Sequence, residues 1–248
     1  MLFVTSCLMI PYAVVRERYF NNFHLNPPVW SLFWEYVANI VYAAVLIRVG
    51  QKILWTLVVV GAVVLFYESY RSTNLSVGWS GDNFWGGGVR AFFSFTAGVL
   101  VYRSGYIIRS KAGFLATGAL LMISFLVPYS NAYNWVTEPL IVIFYFPLLL
   151  ALGAGTVAGP RAHKISALFG EISYPLYMIH YPFIWIFMSY VETQKPTLSN
   201  MMAITAVGTL LLIALSYAVL VYVDAPIRRW LKNRIVSSSK FEVQSSKS

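Results

Sequence analysis

The chain has 248 residues, of which 58% are hydrophobic and 11% are charged, and its formal net charge is +9. A soluble domain normally carries about 25% charged residues, so this composition excludes an ordinary soluble globular protein. A single cysteine, Cys7, excludes an intramolecular disulfide. We therefore predict an all-α fold, a polytopic transmembrane bundle with about seven or eight spans.

The apolar blocks of the sequence place the candidate spans. A bilayer core needs roughly 20 mostly apolar residues per helix. The candidate blocks are residues 2–15, 30–48, 52–68, 88–103, 112–128, 137–157, 167–190 and 201–223. The first block is short. Residues 1–224 are therefore expected to form one transmembrane domain, and residues 225–248 a basic tail that is partly disordered because its polar end cannot bury a core.

Positive charge is distributed unevenly between the predicted loops. Lysine and arginine are concentrated in alternate connections, at Arg48 and Lys52, within residues 103–111 and 161–164, and within residues 228–234. The positive-inside rule then predicts a cytoplasmic C-terminus and an outer position for the turn at residues 26–31. The net charge is explained by topology in the cell's inner or plasma membrane. The lipid bilayer is the expected partner, and no nucleic acid is predicted.

An acidic residue interrupts the second predicted span. Ser31, Glu35, Asn39 and Tyr42 recur at spacings of four, four and three, which places them on one helical face. Ionisable groups inside spans are costly, usually face the bundle interior and often mark function. Glu35 is therefore a candidate functional residue. A purely structural carboxylate, bonded to a neighbouring helix, is the open alternative.

A second polar position lies in the seventh predicted span. Ser173, Tyr177 and His180 share one helical face. Pro175 and Pro182 each remove a backbone donor from this helix, and a kinked helix beside a histidine can line a polar cavity. His180 is therefore a second candidate. The alternative is a single interhelical hydrogen bond, worth only about 0.6–2 kcal/mol.

The remaining ionisable residues have simpler interpretations. Arg90 is expected to snorkel towards the membrane surface, with contact to an anionic ligand as the alternative. Asp224 and Arg228 are expected to form an ion pair. The three histidines are scattered along the chain, so no metal site is predicted. Three glutamates at span ends are expected to be solvated: Glu68, Glu138 and Glu192.

Four stretches resemble, in the same order, segments of the membrane acyltransferase 3 family. N-P-P-V-W-S-L-F-W-E resembles the family's N-x-P-x-W-S-L-x-x-E signature, and V-R-A-F-F-S-F-T-A-G-V-L-V-Y resembles a span with F-x-x-G-x-x-x-Y. I-S-Y-P-L-Y-M-I-H-Y-P resembles S-Y-x-L-Y-x-x-H-x-P, and D-A-P-I-R-R-W-L resembles the closing E-x-P-x-R-R-x-L. Each stretch alone is weak evidence, whereas the ordered series is specific.

This resemblance implies an integral membrane enzyme, with about ten spans in the full family. Such enzymes move an acyl group, often acetyl, from acyl-CoA to a hydroxyl group of a sugar, a surface polysaccharide or a glycolipid. The donor acetyl-CoA is the implied cofactor-like substrate, and no metal is implied. Acyl-CoA would approach from the basic cytoplasmic side, where three arginines could meet its phosphates, namely Arg103, Arg109 and Arg161.

The resemblance also assigns roles to residues of this chain. Glu35 of the first signature and His180 of the second are the expected catalytic residues. The expected substrate-binding residues come from the same two segments and from the polar face around Glu35; they are Trp30, Ser31, Asn39 and Tyr177.

One part of the family pattern has no counterpart in the sequence. Family members usually begin with an L-R-G-x-A-A-type segment that leads into a histidine-bearing span, and neither is found here. We therefore expect an N-terminally truncated member or a fragment, in which Glu35 and His180 line a pocket and support a base supplied upstream. A neutral His180 acting as the base is the alternative. A non-enzymatic transporter or flippase-like bundle, or an inactive fragment, remains a different interpretation.

Overall fold

The computed structural model describes residues 1–13, 15–16, 20–109, 113–157 and 159–234. All regular elements in these ranges are helices, which confirms the predicted all-α fold. They form two compact units, Met1–Ala162 and His163–Ser248. The polar end of the predicted tail, residues 235–248, lies outside the described residues, whereas residues 225–234 are helical.

The first unit contains seven helices along its described part and the start of an eighth. They are α1 (Leu2–Cys7), α2 (Val29–Ala44), α3 (Gln51–Ser72), α4 (Phe84–Ser104), α5 (Gly113–Phe125), α6 (Asn134–Leu140) and α7 (Phe146–Ala154). Helices α2 to α5 and the α6–α7 pair coincide with predicted spans. A π-helical turn, Ile141–Tyr145, joins α6 to α7. It follows Pro139, which has no backbone N–H to donate.

The prediction of a first span at residues 2–15 was wrong. Helix α1 ends at Cys7, and the chain then turns, with φ of 54° at Met9. Pro11 disfavours the α conformation at the residue before it, Ile10, so the helix cannot continue through this point. Most apolar side chains of this segment are exposed, including Phe3, Val4 and Leu8.

Four helices of the described residues are long and apolar enough to cross a membrane. They comprise residues 51–72, 84–104, 134–154 and 198–234, and the shorter Gly113–Phe125 is also apolar. The total of seven or eight spans is therefore not confirmed, because α2 has only 16 residues. The four long helices, with the small share of their surface that is buried inside the chain, mark an integral membrane protein.

The core of the first unit lies between α3, α4 and the loop that joins them. Leu65 of α3 and Phe93 and Ala97 of α4 are buried against Leu75 of the loop. Asn83 orders this loop, because its Oδ1 accepts hydrogen bonds from the backbone N–H groups of Gly78, at 2.9 Å, and Ser80, at 3.1 Å. The loop therefore has a fixed conformation over the start of α4.

In the second unit, the residues up to Arg234 form two long helices. Helix α8 spans Pro160–Gln194, 35 residues, with its first residues in the first unit and with Pro175 and Pro182 inside it. Helix α9 spans Leu198–Val219, and a π-helical turn, Leu220–Asp224, joins it to the helical residues that end at Arg234. The predicted ion pair is confirmed, since Arg228 Nη2 lies 2.6 Å from Asp224 Oδ2.

Candidate functional site

The first signature segment packs through its second tryptophan against a glycine-rich helix start. Trp34 is 8% exposed and lies on Gly87 and Gly88 of α4. A Cβ atom at Gly87 would come within 2.7 Å of Trp34 Nε1, and one at Gly88 within 2.8 Å of the indole ring. Only glycine permits this approach of α2 to α4.

Trp30, the first tryptophan of the signature, forms a cation–π contact with Arg90. The guanidinium carbon of Arg90 lies 4.8 Å from the Trp30 ring centroid, and Arg90 Nη1 donates a 2.8 Å hydrogen bond to the backbone oxygen of Val77. Arg90 is half-buried. The prediction that it snorkels was wrong, because the α3–α4 loop folds back over it and supplies an acceptor within the protein.

Two of the three glutamates that were predicted to be solvated instead form hydrogen bonds within the first unit. Glu68 is buried, and its Oε1 accepts hydrogen bonds from Arg71 at 2.8 Å and from Ser72 at 3.2 Å. Glu138 is half-buried and accepts from the backbone N–H of Leu75 at 2.5 Å and from Asn134 Nδ2 at 2.8 Å. Glu192 is exposed, as predicted.

We call this region the polar end of the first unit, and define it by residues 20–30, 68–90 and 130–138. Within it, Asn22 accepts a 2.9 Å hydrogen bond from the backbone N–H of Tyr12 and donates its own backbone N–H to Trp79 at 3.0 Å. His24 Nε2 lies 2.5 Å from the backbone oxygen of Tyr12. Buried polar groups that are hydrogen-bonded in this way fix the geometry around Trp30.

Glu35 lies on α2 next to Trp34, but on a different face of the helix. The side chains of Glu35 and Asn39 are exposed, and Ser31 and Tyr42 are partly exposed. Asn39 Nδ2 donates a 2.9 Å hydrogen bond to the backbone oxygen of Glu35, so the polar face is continuous along the helix. The expectation that this face points into a bundle interior is not met within the described residues, which leave Glu35 accessible to a ligand.

A cavity of about 420 Å³ runs beside this polar face. Helices α2, α3 and α4 form its walls. Trp34, Ala38 and Val41 line it from α2, and Trp85 and Thr96 mark its two ends on α4. The walls are almost entirely apolar, since Thr96 uses its hydroxyl to donate to the backbone oxygen of Phe92 at 2.7 Å.

The polar face and the cavity meet at Tyr42. The Tyr42 and Phe95 ring centroids are 6.0 Å apart, and Phe95 belongs to the cavity wall. Glu35 and Asn39 follow cavity-lining residues of the same helix by one position. Their side chains therefore lie on a neighbouring face of α2, outside the cavity lining.

His180 lies in the second unit, and its ring orientation is fixed by its own helix. Its Nδ1 lies 2.8 Å from the backbone oxygen of Tyr177 and 3.0 Å from that of Leu176. A carbonyl oxygen only accepts hydrogen bonds, so Nδ1 carries the proton and Nε2 of the neutral ring has the lone pair. Among the described residues Nε2 has no hydrogen-bond partner, which suits a proton acceptor.

Aromatic rings surround His180 along α8. The Tyr177 ring centroid lies 5.7 Å and the Tyr181 ring centroid 6.0 Å from that of His180. Tyr177, the predicted substrate-binding residue of this segment, is thus a direct neighbour of His180. Glu35, Trp30, Ser31 and Asn39 belong to the first unit, and Tyr177 and His180 to the second.

One arginine that was predicted to contact CoA phosphates forms hydrogen bonds within the protein. Arg103, near the end of α4, donates hydrogen bonds to three backbone oxygens after α2: Leu46 at 3.2 Å, Val49 at 2.7 Å and Ile47 at 2.9 Å. These hydrogen bonds connect α4 to the segment that follows the C-terminus of α2. Arg109 and Arg161 are exposed and remain available for an anionic ligand.

Sequence reasoning missed the contribution of Arg90, Glu138 and the glycines before Arg90 to the site. The signal that could have indicated them is the run Gly86-Gly87-Gly88, which ends two residues before Arg90 inside a span. Three glycines at a helix start indicate a close approach by another element. The approaching partner, Trp34, is distant in sequence and could not be identified from the pattern.

The comparisons with known proteins give one match. A family model described as an acyltransferase domain, that of the acyltransferase 3 family, matches residues 2–221. No curated protein and no solved structure matches the chain. The match covers both signature segments and both polar positions.

Proposed function

Since the chain belongs to the acyltransferase 3 family, we propose that it transfers an acyl group from acyl-CoA to a hydroxyl group of a sugar or glycolipid at the membrane. The observation that carries this proposal is the family match across residues 2–221, which includes Glu35 and His180. Acetyl-CoA is the simplest donor and the first to test. The apolar helices support a reaction at a membrane.

The chemistry needs a proton acceptor and a way to hold the acceptor alcohol. The hydroxyl oxygen attacks the thioester carbonyl carbon and forms the new ester bond, while its proton passes to a base. The carbon–sulfur bond then breaks, and the thiol of CoA leaves with a proton. Positioned donors stabilise the negative charge that develops on the carbonyl oxygen.

His180 suits the role of proton acceptor. Its Nδ1–H is bonded to the backbone of its own helix, so the lone pair on Nε2 has a fixed direction. A neutral imidazole is basic near physiological pH without help from a metal. Tyr177, whose ring lies 5.7 Å away, contributes a phenol group beside the imidazole.

Glu35 suits the binding of a hydroxyl-rich acceptor. Its carboxylate is exposed beside Asn39 and Ser31 on one face of α2, and carboxylate and amide groups together accept and donate hydrogen bonds to sugar hydroxyls. Trp30, five residues before Glu35 on α2, is in contact with Arg90. We propose that Trp30, Ser31 and Asn39 bind the acceptor and that Glu35 orients it.

The donor is proposed to approach from the opposite, cytoplasmic side. Arg109 and Arg161 are exposed there and can bind the phosphates of CoA. The positive-inside pattern of the sequence supports a cytoplasmic position for both residues and for the C-terminus.

The test measures transfer of labelled acetyl from acetyl-CoA to the glycan and lipid fraction of membranes that contain the protein. His180→Ala is expected to lower the rate by about 10²- to 10⁴-fold, the usual contribution of a general base. Glu35→Gln is expected to lower it at least about tenfold. His163→Ala and Glu192→Gln are the matched controls, since both residues are exposed.

Two outcomes would contradict the proposal. Membranes with the protein that transfer no more label than membranes without it would argue against an acyltransferase and favour a transport or remnant function. Full activity in both His180→Ala and Glu35→Gln would leave the activity in place but reject the assigned residues.

A further inference from the structure

The second unit contains a polar pocket between α8 and the helical residues that follow α9. We call it the charged pocket; it has a volume of about 560 Å³, and all of its lining residues belong to the second unit. They are Ala167, Gly170, Glu171, Tyr174, Asp224 and Arg228. Charges of both signs and a phenol thus line a space that can hold a small polar group.

The charged pocket lies where the apolar part of the second unit ends. In α8, residues 172–191 contain no Asp, Glu, Lys or Arg and begin directly after Glu171. Further along the chain, residues 196–223 contain none and end directly before Asp224. Charged residues that flank an apolar span lie at the level of the lipid headgroups. A ligand in the charged pocket is therefore at the headgroup level of the bilayer.

One carboxylate of the charged pocket has no counter-charge from the pocket itself. Arg228 Nη2 lies 2.6 Å from Asp224 Oδ2, so these two charges form an ion pair. Glu171 is exposed and, within the described ranges, forms neither an ion pair nor a hydrogen bond. Two carboxylates and one guanidinium leave an uncompensated negative charge. The pocket therefore favours a ligand that brings a cation with N–H donors, such as a primary ammonium group.

Arg228 supplies the complementary group on the opposite wall. Its ion pair with Asp224, four residues earlier, places the guanidinium back along the helix, at the boundary of the apolar part. A guanidinium carries five N–H donors, and the ion pair occupies only some of them. The others suit a phosphate, which arginine binds through parallel N–H donors. The pocket thus offers an acceptor for a cation on one helix and donors for an anion on the other.

A π-helical turn adjoins this wall of the charged pocket. It comprises Leu220–Asp224 and ends at the acidic residue of the ion pair. Such a turn has more residues than an α-helical turn, so it changes the direction in which the following side chains point, and it is frequent at functional sites. This local irregularity supports a binding site at Asp224 and Arg228.

We propose that the charged pocket binds the headgroup of an aminophospholipid of the bilayer, of which phosphatidylethanolamine is the simplest. Glu171 accepts hydrogen bonds from the ammonium group, and Arg228 donates hydrogen bonds to the phosphate. No covalent bond changes. The site goes beyond the proposed function, because its occupant is neither the acyl donor nor the acyl acceptor.

Charge and hydrogen-bonding capacity distinguish this ligand from other bilayer lipids. Phosphatidylcholine has a cation without N–H donors, so it cannot donate a hydrogen bond to Glu171. Phosphatidylglycerol has no cation, and the uncompensated carboxylate repels its negative charge. A basic patch alone would instead select the anionic lipid. The order of the three affinities therefore tests the proposal.

Native mass spectrometry of the protein in detergent measures these affinities with lipids that differ only in their headgroup. Phosphatidylethanolamine is expected to bind at least about fivefold more tightly than either other lipid, the selectivity that a partly exposed charged contact supplies. Equal affinities, or tighter binding of phosphatidylglycerol, would overturn the proposal. Phosphoethanolamine without acyl chains is expected to compete weakly. Competition as strong as that of the lipid would assign the pocket to a soluble ligand and overturn the proposal.

The variant Glu171→Gln keeps the shape of the charged pocket and removes its uncompensated charge. It is expected to reduce the preference for phosphatidylethanolamine over phosphatidylcholine to about twofold or less. Glu192→Gln makes the same change at an exposed position of α8 that does not line the pocket, and it should keep the full preference. An undiminished preference in Glu171→Gln would overturn the proposal.

A variant that fills the pocket supplies a test without a change of charge. A Cβ atom at Gly170 meets nothing within 4 Å, so Gly170→Leu should fold, place its side chain in the pocket and lower phosphatidylethanolamine binding at least about fivefold. Gly118→Leu in α5 makes the same change, also with nothing within 4 Å, and should bind like the wild-type protein. Equal binding by the two variants would overturn the proposal. Thermal unfolding verifies that both fold, and Glu171→Gln serves if Gly170→Leu does not.

Discussion

The guanidinium carbon of Arg90 lies 4.8 Å from the ring centroid of Trp30, so a cation of α4 is held on the first tryptophan of the signature segment. The same arginine donates to the backbone of Val77 in the α3–α4 loop. Arg90 thus connects three elements of the first unit. It contacts Trp30, which precedes Glu35 by five residues on α2, and so connects the loop to the helix of the proposed acceptor-binding face.

Replacement of Arg90 by methionine should destabilise the first unit by about 1–3 kcal/mol. The change removes a cation–π contact and a charged hydrogen bond. Equilibrium unfolding in denaturant, followed by tryptophan fluorescence, measures the effect. Arg109→Met is the control, because Arg109 is exposed and makes no such contact with the part of the chain that the structure describes. Equal stability of the two variants would show that Arg90 does not hold the loop.

The glycines of α4 allow a sharper comparison within one helix. Gly88→Ala is expected to cost about 1–3 kcal/mol, because its new Cβ would lie 2.8 Å from the Trp34 ring and the packed tryptophan must shift. Gly98→Ala meets nothing within 4 Å and should stabilise the helix by about 0.5–1 kcal/mol. Measured free energies of unfolding test whether Gly88→Ala destabilises the protein and Gly98→Ala stabilises it. A stabilising Gly88→Ala would mean that Trp34 does not pack there.

Substitution of Glu138 should lower the free energy of unfolding more than expected for a solvated glutamate at the end of a span. Glu138→Ala leaves the backbone N–H of Leu75 and the amide of Asn134 without their acceptor, at a cost of about 2–3 kcal/mol. Glu192→Ala removes an exposed carboxylate and should change stability by less than about 0.5 kcal/mol. Thermal unfolding of both variants tests the difference, and a neutral Glu138→Ala would contradict it.

The histidines should show opposite tautomers when neutral. His180 donates from Nδ1 to its own helix, and His24 donates from Nε2 to the backbone oxygen of Tyr12. Nitrogen-15 NMR of histidine-labelled protein distinguishes the two forms by the shifts of the protonated nitrogens. His180→Gln and His24→Gln assign the signals. A His180 signal with the proton on Nε2 would remove the argument for a fixed proton acceptor.

The ion pair between Asp224 and Arg228 should contribute little to stability. It spans one helical turn, and both side chains are partly exposed, so solvent screens the attraction. Asp224→Asn is expected to change the free energy of unfolding by less than about 1 kcal/mol. A larger loss, measured in denaturant at two salt concentrations, would show that the pair has a further structural partner.

The helical class and most helix positions follow from local properties of the sequence. Long apolar blocks must satisfy their backbone hydrogen bonds internally, so they form helices wherever they meet lipid. Residues 52–68 and 201–223 were predicted on this ground and lie within α3 and the helix that begins with α9. The predicted span at residues 2–15 was wrong because α1 ends at Cys7 and the chain turns at Met9, which the apolar count alone could not indicate.

The polar residues needed the tertiary structure. The sequence placed Glu35 and His180 on their helices and linked both segments to one family, since periodicity and motif are encoded in consecutive residues. It did not place Arg90, Glu68 or Glu138, because their environment depends on a loop that folds back over the ends of α3 and α4. Whether a charged group is solvated or bonded within the protein is decided by groups that are distant in sequence, and only folding brings these into contact.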